Sequence, residues 1–245
     1  MKENQPLRNI NRVITMKKYN KIKKILFAAI CGGLFIACQQ PHNVNDPLQV
    51  LCLGNSITKH PIKEDIEWFS DWGMAASNIE YDYCHQLEKM LCKYHPNSTV
   101  TPLNIASWER NLSCDIDSLI GSYCKNKDII IIRLGENVQD VTTFPDAISR
   151  LVKYCQSKAM RVIITGCFWK YDSKERSIIH AARTNDLTYV PLYWIDNLYN
   201  VRPQIGDTLY DINKKPYVIT QDFIITHPND EGMQMIAETI WGVIR

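Results

Sequence analysis

The sequence contains no internal repeat and no low-complexity segment, so a solenoid or repeat array is excluded. It has no C-x-x-C pair, and its six histidines show no zinc spacing, so no structural metal is expected. A complete disulfide framework is lacking as well. Seven cysteines follow Cys38, namely Cys52, Cys84, Cys92, Cys114, Cys124, Cys155 and Cys167, and an odd number cannot all pair. Cys52 and Cys167 lie in apolar, strand-like runs and read as small buried hydrophobes. Cys84 and Cys92 fall on an expected helix about 12 Å apart along its axis, too far to bridge. There is little net charge, +2, and its excess is local to Lys17, Lys18, Lys21, Lys23 and Lys24. Without those lysines the remainder is slightly acidic, so no basic face points to nucleic acid.

What is present is ordinary for a soluble globular protein: 245 residues, 45% hydrophobic and 22% charged, enough for one domain with a sizeable core plus a tail. The basic stretch "MKKYNKIKK" precedes the thirteen apolar or small residues "ILFAAICGGLFIA" and then Cys38. A basic segment followed by an apolar one of this length is a secretory signal, too short to span a bilayer comfortably. The ending "LFIAC" resembles a bacterial lipobox with Cys38 as the lipidated residue, although Phe35 stands where Leu is usual. Read without the lipobox, it is a plain signal peptide and Cys38 has no role. Met16 looks like the natural start, which makes residues 1–15 a mis-called extension and 16–37 a lipoprotein signal peptide. Residues 38–47, polar with two prolines, form a tether, and 48–245 form the domain. The expected mature protein is held to the bacterial cell envelope by a lipid anchor alone, in the periplasm or at the outer-membrane surface.

Within the domain, strand and helix patterns alternate. Leu48 to Leu53 reads as a strand, and "MAASNIEYDYCHQLEKMLCKYH" as a helix with Ala76, Ile79, Tyr83, Leu87, Met90 and Leu91 on one stripe. "STVTPLNIA" is a strand weakened by Pro102, and a short helix is expected near residues 114–123. The continuous β-branched run in "DIIIIRLG" fits a central parallel strand, apolar on both faces. "FPDAISRLVKYCQS" reads as a helix, "MRVIITGCF" as a buried strand, residues 173–184 as a helix and "LTYVPL" as a fifth strand. "NDEGMQMIAETIWGVI" closes the chain as a helix. This alternation predicts an α/β domain with a doubly wound parallel sheet, in which ligands bind beyond the carboxyl ends of the strands.

Three polar clusters meet that condition. "GNSIT" follows the first strand, "LGENV" follows "DIIIIR", and "THPNDEGM" follows Ile224 and Ile225 and opens the last helix. They offer Ser56, Asn137 and His227. A serine hydroxyl needs a base within hydrogen-bond reach, and imidazole titrates in the right range. The oxyanion of acyl transfer needs donors, which the Asn137 amide and the Ser56 N–H can supply. Together they form a nucleophile, a base and an oxyanion clamp. The bland readings are a helix-capping serine, a turn asparagine and a solvated turn histidine.

The chain resembles the SGNH family, the GDSL-like esterases and lipases. Gly54 to Thr58 matches their first block. Gly135, Glu136 and Asn137 match part of the G-x-N-D block, with Val138 in place of Asp, and His227–Pro228 matches the last block. The phrases "WGMAAS", "WERN", "IIRLGENV" and "HPNDEGM" resemble a branch common in Bacteroidetes envelope proteins. The resemblance spans residues 48–245. It implies a flavodoxin-like three-layer α/β/α sandwich and ester hydrolysis with no metal or cofactor. The implied substrate is an acylated small molecule or glycan, with O-acetyl groups on a carbohydrate foremost. A non-catalytic glycan-binding lipoprotein on the same fold, or a lipid or thioester hydrolase, stands as the alternative.

Two departures bear on the site. Ile224 occupies the family's triad Asp position, leaving Asp222, Asp230 or a backbone carbonyl to orient His227; some similar carbohydrate esterases work as Ser–His dyads. The glycine whose N–H is an oxyanion donor falls at Glu109, which offers the same N–H with a side chain crowding the site. Trp68, Trp72 and Trp108 flank the expected site and either stack on sugar or pack in lid or core. Glu109 and Arg110 read as a surface ion pair or a substrate contact, and Glu136 as a substrate contact or a helix-start carboxylate.

Overall fold

The computed structural model describes residues 46–245. The expectations for the extension, the signal peptide, Cys38 and most of the tether lie outside the described residues. Five strands form one parallel sheet: β1 (Gln49–Gly54), β2 (Thr99–Asn104), β3 (Ile129–Ile132), β4 (Arg161–Thr165) and β5 (Thr188–Val190), in the order β2-β1-β3-β4-β5. This is the flavodoxin-like order, with the chain reversing its direction of travel between β1 and β3. Alternate residues of β1 enter opposite layers. Val50 and Cys52 join the core on one face, and Leu51 and Leu53 join the core on the other. All four isoleucines of β3 are buried, each contributing roughly 1.5–3 kcal/mol of burial free energy.

Helices cover both faces. Helices α1 (Tyr83–Cys92) and α6 (Asp230–Ile244) pack together over the Val50 face. Two short helices, α2 (Ala106–Arg110) and α3 (Ile116–Ile120), precede β3. Helices α4 (Phe144–Gln156) and α5 (Asp172–Thr184) pack over the Leu51 face. The expected three-layer α/β/α sandwich is therefore the observed architecture. All seven described cysteines are free thiols. Among the described residues, no helix is long and apolar enough to cross a membrane.

Three expectations change. The helix expected from Met74 begins only at Tyr83, because Ala75 takes a left-handed φ of 74° and residues Ile79–Tyr81 form a 3-10 turn. The Asp82 carboxylate then caps α1 by accepting from the His85 N–H at 2.8 Å. Ile224 and Ile225 belong to a 3-10 turn, Ile224–Thr226, rather than to a strand end. An antiparallel hairpin, β6 (Thr208–Tyr210) with β7 (Pro216–Val218), was not expected. It is tied to the segment after Ser56 by the Tyr210 N–H donating to the Ser77 carbonyl at 2.9 Å and by Ser70 Oγ donating to the Tyr210 carbonyl at 2.8 Å.

Register places the site. Gly54 pairs with Asn104 and Leu53 with Ile132, so β1, β2 and β3 end at the same edge of the sheet. Gly54 allows the chain to turn there. A β carbon at this position would lie 1.8 Å from Thr58 Oγ1 and 3.2 Å from the Arg133 carbonyl oxygen. Gly54→Ala is expected to cost about 1–3 kcal/mol through overpacking. Circular-dichroism melting should show a lower midpoint, by roughly 2–4 °C per kcal/mol.

Candidate active site

Ser56 lies in a tight turn directly after β1. The Asn55 carbonyl accepts from the N–H groups of Thr58 (2.9 Å) and Lys59 (3.0 Å), and the Ser56 carbonyl accepts from the Met74 N–H at 2.8 Å. These bonds leave Ser56 partly exposed between buried neighbours. His227 arrives from the far end of the chain, at the exit of the Ile224–Thr226 turn and just before α6. The following Asn229 caps α6 by accepting from the Gly232 N–H at 3.0 Å, and its own N–H donates to the Val201 carbonyl at 2.9 Å. Held in this way, His227 Nε2 lies 2.9 Å from Ser56 Oγ.

The tautomer follows from the other ring nitrogen. His227 Nδ1 faces the Phe223 carbonyl oxygen at 3.1 Å, and a carbonyl only accepts, so Nδ1 carries the proton. Nε2 is then the lone-pair nitrogen that accepts from the serine hydroxyl. Thr226 Oγ1, 3.2 Å from Nδ1, is turned away by donating to the same carbonyl at 2.8 Å. The orienter is thus a backbone carbonyl. Asp222 is exposed and does not bond the imidazole, and Asp230 accepts from the N–H and hydroxyl of Ser77 at 2.7 and 2.6 Å. Ile224, in the triad carboxylate's place, is buried in the core against α6.

Asn137 lies in the turn after β3, where Gly135 adopts a φ of 138° that L side chains rarely take. A β carbon on Gly135 would also meet Cys167 Sγ at 2.6 Å. The Asn137 amide donates one hydrogen to Glu109 Oε2 at 2.7 Å. Its second amide hydrogen, like the N–H of Ser56, has no acceptor among the described residues.

Glu109 therefore enters the site through its side chain, which turns inward instead of crowding the opening. Its Oε1 accepts from the Gly135 N–H at 2.6 Å and the Asn137 N–H at 3.3 Å, and Asn55 Nδ2 lies within 3.3 Å of both oxygens. Glu109 and Arg110 make no surface ion pair. Glu136 does not contact substrate either, because its side chain is buried. It accepts from Arg133 Nη1 and Asn55 Nδ2, both at 2.7 Å, and from the Phe168 N–H at 3.0 Å. Arg133 in turn donates to Asn55 Oδ1 through Nη2. Burial works to raise the Glu136 carboxyl, but the Arg133 guanidinium beside it and the Phe168 N–H hold it below the usual carboxylate range. Burial, then the Glu136 charge, pushes Glu109 upward, against the N–H donors that it accepts from.

Of the two readings of the tryptophans, core packing is the one observed and sugar stacking is not. Trp68, Trp72 and Trp108 are buried in the two cores, Trp68 edge-on to Trp72 and Trp108 edge-on to Phe144. The rings that do face the dyad are Trp169 and Phe223, with centroids 5.4 and 5.1 Å from the imidazole, both edge-on to it. Sequence reading passed over both. The available signal was the position of Phe223, four residues before the histidine. Among the described residues, no group of three or more His, Cys, Asp or Glu side chains is placed to hold a metal ion.

Comparison with family models gave no match, and comparison with curated proteins gave none either. Solved structures do match. An acetylxylan esterase from Geobacillus stearothermophilus aligns at 13% identity over 81% of this chain and 94% of its own, with a TM-score of 0.53. An alpha/beta hydrolase enzyme from the metagenome of Lake Arreo, Spain, aligns at 13% identity over 81% of this chain and 95% of its own, with a TM-score of 0.56. The chain shares the three-layer α/β/α fold of these two enzymes. On this scaffold, the serine, asparagine and histidine occupy loops at the carboxyl edge of the sheet.

Burial of His227, the leading cause, drives its imidazole down to about 4; the Phe223 carbonyl opposes the shift, and the charges of His60 and Arg133 add to it. The ring is thus neutral, and its Nε2 free to accept, through the physiological range. An NMR titration of the His227 ring C2 proton is expected to show a midpoint near pH 4, and a midpoint near 6.5 would contradict this account. The unfolded chain binds this proton more tightly than the folded one. Stability should therefore rise with pH between about 4 and 6.5, by roughly 3 kcal/mol for a shift of this size, and be complete above that window. Denaturant unfolding at several pH values measures it.

Proposed function

We propose that this protein is a serine esterase that removes acyl groups, foremost O-acetyl groups from a carbohydrate. The observation that carries this reading is the 2.9 Å contact between Ser56 Oγ and a His227 Nε2 whose tautomer is set by the Phe223 carbonyl. His227 takes the hydroxyl proton as Ser56 Oγ attacks the ester carbonyl carbon. The second Asn137 amide hydrogen and the Ser56 N–H meet the oxyanion that develops. As the tetrahedral intermediate collapses, the imidazolium returns its proton to the departing alcohol. Water then enters and gives a proton to His227 as its oxygen attacks the acyl-serine carbonyl; the second intermediate collapses, Ser56 Oγ takes that proton back from His227, and the acid is released. The Phe223 carbonyl supplies a dipole, not a full charge, to the imidazolium, so this is a Ser–His dyad.

The acetyl and sugar preferences draw support from the acetylxylan esterase that shares the fold, and from Trp169 and Phe223, whose rings at the dyad suit stacking on a pyranose face. Placement at the bacterial envelope, held by a lipid on Cys38, belongs to the same proposal and is supported by the basic and apolar segments before that cysteine.

Ser56→Ala is expected to abolish hydrolysis of p-nitrophenyl acetate and labelling by a fluorophosphonate. Retention of wild-type rates would sink the proposal. Asn137→Ala should lower kcat by about 10²–10³ with a smaller change in KM, as measured by initial rates. The acid limb of kcat/KM should fall near pH 4, where His227 protonates.

A further inference from the structure

Beside the dyad lies a cavity of about 680 Å³ whose lining includes His60, Lys63, Asn104, Ser107, Arg110 and Phe223. Phe223 connects it to the site, since its carbonyl holds His227 and its ring packs against the imidazole. His60, which lines the cavity, also lies close enough for its charge to act on His227. No carboxylate lines it, in a domain whose carboxylates outnumber its lysines and arginines. Arg110 is exposed and has no ion-pair or hydrogen-bond partner among the described residues. Lys63 is only loosely engaged, 3.5 Å from an exposed Asp65. The positive field is already felt within the cavity: burial first, then the charges of Lys63 and Arg110, push the His60 imidazole down. A free guanidinium presents a planar fork suited to carboxylate or phosphate oxygens, and a cleft of one charge sign concentrates ligands of the other.

We propose that this cavity receives an anionic group carried by the alcohol half of the ester, so that the substrate is an O-acylated acidic sugar and not a neutral one. The inference rests on the reading of Ser56 as nucleophile. Arg110 is its principal contact, with Lys63 as a second cation.

The test compares kcat/KM of the full chain on O-acetylated polygalacturonate and on O-acetylated xylan. The charged polymer is expected to be preferred, and added salt should narrow the preference. Arg110→Gln should lower the charged-to-neutral ratio about tenfold, the effect of one charge-assisted hydrogen bond. Free galacturonate and glucose 6-phosphate, used as competitive inhibitors, distinguish a carboxylate from a phosphate, the stronger inhibitor naming the anion. An equal ratio in wild type and Arg110→Gln, a preference for xylan, or inhibition by neither anion would overturn the inference. Absence of p-nitrophenyl acetate hydrolysis would instead overturn the esterase reading. Calorimetric binding of the two anions to the full chain and to Arg110→Gln then decides separately: Arg110-dependent binding supports the anion site, and its absence removes it.

Discussion

The site depends on one hydrogen bond, from His227 Nδ1 to the Phe223 carbonyl. A carboxylate there could accept a proton from the imidazolium or rotate away, whereas a carbonyl fixed in a 3-10 turn can do neither. The turn supplies the geometry. With Ile224–Thr226 helical, the carbonyl four residues before His227 points back at the ring. Tautomer, ring orientation and the approach of Nε2 to Ser56 all follow from that local fold, with no further side chain required. What the carbonyl does not supply is a countercharge. The buried imidazole is therefore a weak base, with its pKa driven to about 4, and the advantage gained is a ring that remains neutral in mild acid.

The other half of the site depends on satisfied buried charge. Arg133, Glu136, Glu109, Asn55 and Asn137 form one hydrogen-bonded network at the ends of β1 and β3. Buried ion pairs add little net stability, but removing one member strands the others without water. Their value is orientation. Glu109 accepts from the Asn137 amide and from the Gly135 and Asn137 N–H groups, so a single carboxylate sets both the turn and the side chain it presents. Under the proposed esterase reading, donors fixed before the reaction need no reorganisation as charge develops on the carbonyl oxygen. Where the resembled family has a glycine, Glu109 contributes a strut in place of open space.

Most of the sheet was legible from the sequence because its signals are local. The isoleucine run of β3 and the alternation in β1 report burial on two faces whatever the neighbours do. Ser56 and Asn137 were legible as candidates because each follows a strand at the chemically useful edge, whereas the strand end expected before His227 is a 3-10 turn. Elements set by tertiary contact were not legible. Helix α1 starts late because Asn78 and Asp82 are extended on either side of the Ile79–Tyr81 turn, and β6–β7 is held in place partly by bonds to Ser70 and Ser77. The tryptophans stayed open between two readings for a related reason. Nearness in sequence to the serine says nothing about the side toward which a large ring packs, and Trp68, Trp72 and Trp108 face the cores. Trp169 and Phe223 come from loops remote from Ser56, and only the fold brings them beside the imidazole.

Ile224 joins the core and the chemistry in one position. Its side chain is fully buried with Met233, Ile236 and Ile240 of α6, so the turn that aims His227 is anchored by apolar packing. A carboxylate at this position would have to be buried there, at a desolvation cost of several kcal/mol, or be drawn outward, loosening the turn. The apolar side chain of Ile224 and the carbonyl orienter are therefore two aspects of one choice. Packing of the last helix fixes the turn, the turn fixes the carbonyl, and the carbonyl fixes the base.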